Sequence, residues 1–578
     1  MRVLSNLHLT AENHDVRAFG EYLAPGAAPW RAEKERRALA EILPLIPAAE
    51  KPDALIIASP EYLPVPVDVA AFPGTRILLI TDWNLGLRYL PDLCALFDFC
   101  FVDWPGYRLL RRAGVGNVHH QPLFGHDPAH YRDRGGYRNL DVSFCGNLNA
   151  GLHRARNRLL ARLAKWGTGR NVHLGQAFNE AYADVLNRSR LVFNYSIRGE
   201  ANMRLYEAMA CGAVPLVEAG NQEVPMLFQA DRHYFSYEPD RLEARLESLL
   251  ADPARIEAVS REALRAVAAH AKAKQMRSLL EFAGRESPQG PRPAAARAPA
   301  APASLKALIK MRVLGADYTM AEALAELRAR DADLPGLGAE TLPAALLTFL
   351  EDNPQAALDA AQSLLERMLD GKDRPEPLGR LFRLRLRLLR GRWAEALQES
   401  EACLRALEDP QAGSPEAYTH FLPPIGLGRG AATDLNRAYG EDVEARSRQG
   451  YLGLLRASCL AGRARALLAL DRPGEALACV EGIPGDRFVS IDPYPLLHEC
   501  CLRLGDPARL RAVLDAWFAE RPLDTAVWDK LAEGLARLGD KPAWIAFLEE
   551  ILILARHFLT PAQVETLRAL KASRQAAG

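Results

Sequence analysis

The chain has 578 residues, too many for one core, so two to four domains are expected. Its 72 Lys and Arg balance its 72 Asp and Glu, which removes the basic excess that nucleic-acid binders carry. With 49% apolar and 25% charged residues the composition is that of an ordinary globular protein, and no run of eighteen apolar residues is present to cross a membrane.

The start, Met1-Arg2-Val3-Leu4-Ser5-Asn6-Leu7, has no cationic region followed by a long apolar core, so no secretory signal is expected. The nine Cys include no Cys-x-x-Cys pair. They read as buried free thiols of a reducing, cytoplasmic protein, with neither a disulfide frame nor a zinc site.

Arg2–Leu7 begins like a strand, and residues 31–48 read as a helix on the spacing of Leu39, Ile42, Leu43 and Ile46. Ala54–Ala58, Ile77–Thr81 and Asp98–Asp103 are short continuous apolar runs. Runs without alternation predict strands buried on both faces, hence a parallel sheet covered by helices and a doubly wound fold. Ligands in such folds bind where loops leave the carboxyl ends of strands, which singles out Ser5–His8, Ser59–Glu61 and Asp82–Asn84. Asp82 followed by Trp83 is the most informative of these; the alternative is a capping Asp beside a packed Trp. The loop holding His119, His120, His126 and His130 is interrupted by Pro122 and Pro128 and lacks regular ligand spacing, so no metal is expected there.

Leu140–Cys145 starts a second strand series, and Gly146-Asn147-Leu148-Asn149 leads into a basic helix carrying Arg154, Arg156 and Arg158. A glycine turn from strand into helix presents backbone N–H groups and the positive helix end to an anion such as a diphosphate. The alternative is a solvated cationic helix face. Further on come the strand Leu191–Tyr195, a short helix from Asn202 to Gly212, the strand Ala213–Val217 and a largely helical stretch from Asp240 to Ala283. Glu207 sits on the short helix among small and apolar neighbours. A carboxylate beside a buried sheet needs a partner, and a sugar or ribose diol is one; the alternative is a Glu on the solvent side.

The stretch Asn202-Met203-Arg204-Leu205-Tyr206-Glu207-Ala208-Met209-Ala210-Cys211-Gly212-Ala213 resembles the signature of CgeB-like glycosyltransferases of the GT-B fold. It is similar to the Glu-Ala-Met-Ala-Cys-Gly element of family-four retaining glycosyltransferases, and Asp98–Pro128 looks like the end of that family's first domain. The resemblance implies two Rossmann-like doubly wound domains with a cleft between them, at 1–136 on the acceptor side and 137–283 on the donor side. Glu207 would then bind the ribose hydroxyls of a UDP- or GDP-type nucleotide-sugar. Gly146, Asn147 and an arginine such as Arg154 or Arg156 would hold its diphosphate, and Asn202 and Arg204 would line the pocket. No tightly bound cofactor or metal is implied. The family's first Glu, eight residues before the second, is Gly199 here, with Glu200 the nearest acid. A retaining enzyme needs no dedicated base; an inverting one would draw it from the first half, where Asp82 and His8 are the candidates.

Residues 284–304 are a Pro- and Ala-rich linker. Beyond them, at 305–578, lie helical pairs rather than strands, and Asp471, Gly505 and Gly539 recur at 34 residues. That period, with Gly391-Arg392-Trp393-Ala394-Glu395-Ala396-Leu397, resembles tetratricopeptide (TPR) repeats, whose solenoids bind protein segments. A Gly- and Pro-rich insertion near Gly413–Gly440 is expected to interrupt the period. Asp331-Ala332-Asp333, the one metal-type triplet, reads as a chance occurrence in a helical region. The expected activity is sugar transfer to a protein or cell-surface glycan, with the repeats docking a protein or, alternatively, only stabilising or dimerising the enzyme. The alternative is a non-catalytic scaffold with a degenerate GT-B half. A nucleotide-binding oxidoreductase is disfavoured because no Gly-x-Gly-x-x-Gly follows the first strand.

Overall fold

The structure, a computed structural model, describes residues 1–23, 38–63, 65–66, 68–83, 90–148, 153–286, 376–408, 443–483 and 492–576. Asn84, most of the linker, Asp331–Asp333 and Gly413–Gly440 lie outside the described residues. The chain divides into two compact units, Met1–Leu123 with Lys272–Ile491, and Phe124–Ala271 with Asp492–Gly578.

In the first unit β1 (Arg2–Ser5), β2 (Asp15–Ala18), β3 (Ala54–Ala58), β4 (Thr75–Ile80), β5 (Phe99–Val102) and β6 (Val118–His120) form one parallel sheet. Their order is β2-β1-β3-β4-β5-β6. All five residues of β3 are buried, which is why that run shows no polar alternation. The edge strand β2 escapes the same search because Asp15-Val16-Arg17 leaves two side chains in solvent. The helix expected over 31–48 is confined, among the described residues, to Leu39–Ile42 and a 3-10 turn at Leu43–Leu45. Pro44 has no N–H to continue it. Helix α1 (Trp104–Arg112) is capped by Asp103, whose Oδ1 accepts from Gly106 N and from the buried Trp83 Nε1, both at 2.8 Å.

The second unit holds β7 (Leu140–Cys145), α2 (Arg154–Trp166), β8 (Val172–Gly175), α3 (Asn179–Arg188), β9 (Ser189–Phe193), α4 (Met203–Ala210), β10 (Val214–Glu218), β11 (Phe235–Tyr237), α5 (Leu242–Leu250) and α6 (Pro253–Val267). Its sheet is parallel, in the order β11-β10-β9-β7-β8. The order reverses between β7 and β9, so the crevice of a doubly wound fold opens past Cys145 and Phe193. Helix α4 starts at Asn202, whose Oδ1 accepts from Leu205 N, and ends at Gly212 with φ +73°. Arg138 fastens that end by donating to Cys211 O at 2.8 Å and to Asn187 O and Ser189 O at 3.0 Å.

Helix α7 (Lys272–Glu286) belongs to the first unit, where Leu279, Leu280 and Ala283 share a core with Val3, Ile56, Ile77 and Phe101. That unit also contains α8 (Glu376–Leu389), α9 (Trp393–Ala406), α10 (Val443–Ala469) and α11 (Pro473–Glu481). The second unit continues with α12 (Tyr494–Leu504), α13 (Pro507–Glu520), α14 (Thr525–Leu538), α15 (Lys541–Phe558) and α16 (Pro561–Ala576). The 34-residue period has a backbone cause. Asp471, Gly505 and Gly539 all take left-handed φ, at +57°, +63° and +67°, and end their helices. Asp506 and Asp540 then cap the next helix, accepting from Arg509 N and Ala543 N at 3.0 Å.

One continuous core joins the second sheet to these last helices: Leu159, Leu160 and Leu163 of α2 cluster with Leu514, Trp517, Trp544, Leu548 and Leu554. Arg158 pairs with Glu520 at 2.6 Å and Lys165 with Glu550. Truncation at residue 491 is therefore expected to leave an aggregating or early-melting fragment. The milder Leu554→Ala, at a fully buried position, is expected to cost about 2–5 kcal/mol in urea unfolding. A fragment that melts at the full-length temperature contradicts the shared core.

Candidate functional site

The site is built on the ends of β7 and β9. Phe144, fully buried, presents its ring to two guanidiniums, Arg204 at 4.5 Å and Arg156 at 5.2 Å from the centroid. Arg204 reaches across the point where strand order reverses, donating Nε to Cys145 O at 2.9 Å and Nη1 to Asn194 Oδ1 at 3.2 Å. Arg156 donates to Asn147 O, the turn after β7. Gly146 lies under them: a Cβ there would stand 2.5 Å from Arg204 Nη2 and 2.9 Å from Phe144 Cζ. Burial first, and the Arg204 charge second, lower the Arg156 pKa to about 9, with Glu200 opposing. Arg156 thus stays cationic at neutral pH, and two like charges share one apolar ring. An anion is the group this arrangement accepts.

Glu207 is buried one turn along α4 from Arg204, and its Oε2 accepts from Tyr182 OH of α3 at 3.1 Å. Sequence gives no sign of Tyr182 as a partner, since the pairing joins two helices. The loop after β9 is held from the loop after β10. Gly199 O accepts from Gln222 N and Glu223 N at 3.0 and 3.1 Å, and Glu223 Oε2 accepts from Ala201 N at 2.8 Å. Asn221 donates Nδ2 to Glu200 O at 3.1 Å and to Glu218 Oε1 at 3.0 Å. Gly199 has φ +86°, which accounts for the absence of a Glu at that position: any side chain there is strained. The acid one residue on, Glu200, is buried and accepts from Arg198 N at 2.8 Å, with the Arg198 guanidinium 3.8 Å away.

The three arginines of α2 do not converge. Arg156 turns to Phe144, whereas Arg158 pairs with Glu520 and Arg154 lies in electrostatic reach of Asp492. Asn202 is engaged as the cap of α4. Asp82 stands at the end of β4, taking a hydrogen bond from Tyr62 OH and donating its N–H to Glu61 Oε1 at 3.1 Å. His8 is exposed past the end of β1, beyond Asn6, whose side chain clasps Ala58 N and O at 2.8 and 3.0 Å. The histidines expected on one loop diverge: His119 and His120 belong to β6, where His119 packs on Phe99, Phe101 and Phe282, while His126 bridges to Ala271 and His130 meets Asp127 at 3.0 Å.

Glu218, at the end of β10, accepts from Ser196 N at 3.1 Å and from Ser196 Oγ, and burial raises its pKa to about 7 against those hydrogen bonds. Sequence gives no signal for it beyond its place after a strand. Because its folded pKa lies above the unfolded value, its contribution to stability is complete below about pH 4.5. That contribution is lost as pH rises through about 7, roughly 3 kcal/mol over the whole range. Glu218→Gln is expected to flatten this fall. The wild-type-minus-variant difference in melting temperature should therefore decline between pH 5 and pH 8, and a difference independent of pH contradicts the assignment.

Residues 141–281 match the family described as glycosyl transferase-like. No protein of curated function matches the chain in sequence. Among solved structures the chain is similar to HepE of Anabaena, solved in complex with UDP, at 13% identity over 50% of this chain and 100% of that one, TM-score 0.37. It is also similar to sucrose-phosphate synthase of Thermosynechococcus elongatus, at 13% identity over 49% of this chain and 89% of that one, TM-score 0.34. For TarM of S. aureus the identity is 10% over 40% of this chain, TM-score 0.31, and the chain spans 54%, about half, of TarM's length.

Proposed function

We propose that the chain is a GT-B glycosyltransferase that moves a sugar from a UDP- or GDP-type nucleotide-sugar to an acceptor. The observation that carries this reading is the pair Arg156 and Arg204 on Phe144 at the strand-order reversal. Two cations fixed where a diphosphate would lie stabilise the leaving group as the glycosidic bond breaks. They supply the positive charge that a divalent ion supplies in other transferases, so the reading is metal-independent. The match of 141–281 to a glycosyl transferase-like family supports it.

Glu207, turned toward Tyr182, is the ribose ligand in this reading: its carboxylate exchanges the phenol, or shares itself, with the two ribose hydroxyls. Glu200, on the loop fixed by Asn221 and Glu223, faces the sugar in place of the acid absent at Gly199. Retaining stereochemistry follows the resemblance. The TPR-like helices dock a protein acceptor or partner, and Asp82 and His8 lie on the acceptor sheet.

The test is donor turnover with UDP- and GDP-sugars. Arg204→Met and Glu207→Ala are each expected to lower kcat/KM by about 10- to 100-fold, the loss of one charged hydrogen-bond set, with the melting temperature within a few degrees of wild type. Unchanged turnover in both variants sinks the site.

A further inference from the structure

One buried carboxyl joins the loop after β9 to the loop after β10. Glu218 is 5% exposed and gathers three donors on a single oxygen. Its Oε1 accepts from Ser196 N at 3.1 Å, from Ser196 Oγ and from Asn221 Nδ2 at 3.0 Å. Its Oε2 is buried and has no hydrogen-bond partner among the described residues. The bond set runs outward from there. Asn221 Nδ2 also donates to Ser196 Oγ at 2.9 Å and to Glu200 O at 3.1 Å, and its Oδ1 accepts from Glu223 N at 3.1 Å and Val224 N at 2.9 Å. Glu223 Oε2 then takes Ala201 N at 2.8 Å. The segment 196–201, which carries Arg198 and Glu200, is thus pinned by Glu218 at one end and by Glu223 at the other, with Asn221 between them.

The surroundings of Glu218 suit a neutral carboxyl. Ionised, Oε2 would be a buried charge with neither water nor a donor. The ionisable groups that face it bring no cation. Glu200, on the loop after β9, is a second acid that opposes ionisation, and its own cation is Arg198 at 3.8 Å. Tyr237, at the end of β11, is a phenol that donates to Asn194 O at 3.1 Å and is kept neutral by burial and then by Glu218. Burial raises the Glu218 pKa from 4.5 to about 7, against the bonds from Ser196 and Asn221. Ionisation therefore favours any opening of the two loops that lets water reach the carboxylate.

We infer that Glu218 is a positioning residue for the proposed donor site: its neutral carboxyl latches the 196–201 loop, holding Arg198 and Glu200 in place, and its ionisation releases them. The purpose of the latch rests on the donor-site proposal, whereas the latch itself needs no donor.

The test is hydrogen exchange of the full chain followed by mass spectrometry, beside donor turnover, between pH 5 and pH 8. Protection factors of the 196–201 amides are expected to fall about 10- to 100-fold over that range, and those of β3 to hold. Glu218→Gln, which copies the neutral carboxyl, is expected to abolish the fall. Ser196→Ala removes a bond that favours the ionised form, so the fall is expected to extend to higher pH. The KM for a UDP- or GDP-sugar is expected to rise at least about threefold in wild type over the same range and to stay flat in Glu218→Gln. Loop protection independent of pH in wild type, or an equal fall in Glu218→Gln, overturns the latch. A titrating latch with a pH-independent KM overturns the positioning role. A titrating latch in a chain that turns over no UDP- or GDP-sugar overturns the donor-site proposal and upholds the latch.

Discussion

The arrangement at the ends of β7 and β9 depends on two guanidiniums sharing the ring of Phe144. The two like charges oppose each other, and the Arg204 charge lowers the Arg156 pKa after burial has done so. The fold offsets part of this with dipoles: the carbonyls of Cys145 and Asn147 and the amide oxygen of Asn194 all point at the pair. Those acceptors exist because β7 and β9 are neighbours whose chains depart in opposite directions. The remaining imbalance is electrostatic, with the Glu200 charge opposing it.

The loops around the pair are held by backbone as much as by side chains. The segment after β9 takes hydrogen bonds from Gln222 and Glu223, and the buried Glu218 carboxyl receives Ser196. A loop fixed in this way holds Glu200 and Arg198 in place. The left-handed Gly199 is part of the same geometry.

Much of this is legible in the sequence. Continuous apolar runs mark the inner strands, and Asn202 and Gly212 mark both ends of the Glu207 helix. The three arginines of α2 look like one cluster in sequence, although helical periodicity separates them. Arg154 and Arg158 are four apart and share a face, while Arg156 lies about 200° away from each. Their contacts follow that rule, Arg158 meeting Glu520 and Arg156 meeting Phe144. Tyr182 with Glu207, and Glu218 with Ser196, join segments 22 to 25 residues apart that carry no mutual pattern. The packing of Leu514 and Leu554 against α2 spans hundreds of residues, and an amphipathic helix does not announce which surface it covers.

The most direct measurement is calorimetric titration of the full chain with UDP, GDP, UMP and GMP, without added divalent cation. If Arg156 and Arg204 hold a diphosphate, UDP or GDP binds at least about tenfold more tightly than its monophosphate, the worth of one charge-assisted contact set. Equal affinity for mono- and diphosphates, or no binding of any of the four, contradicts the account.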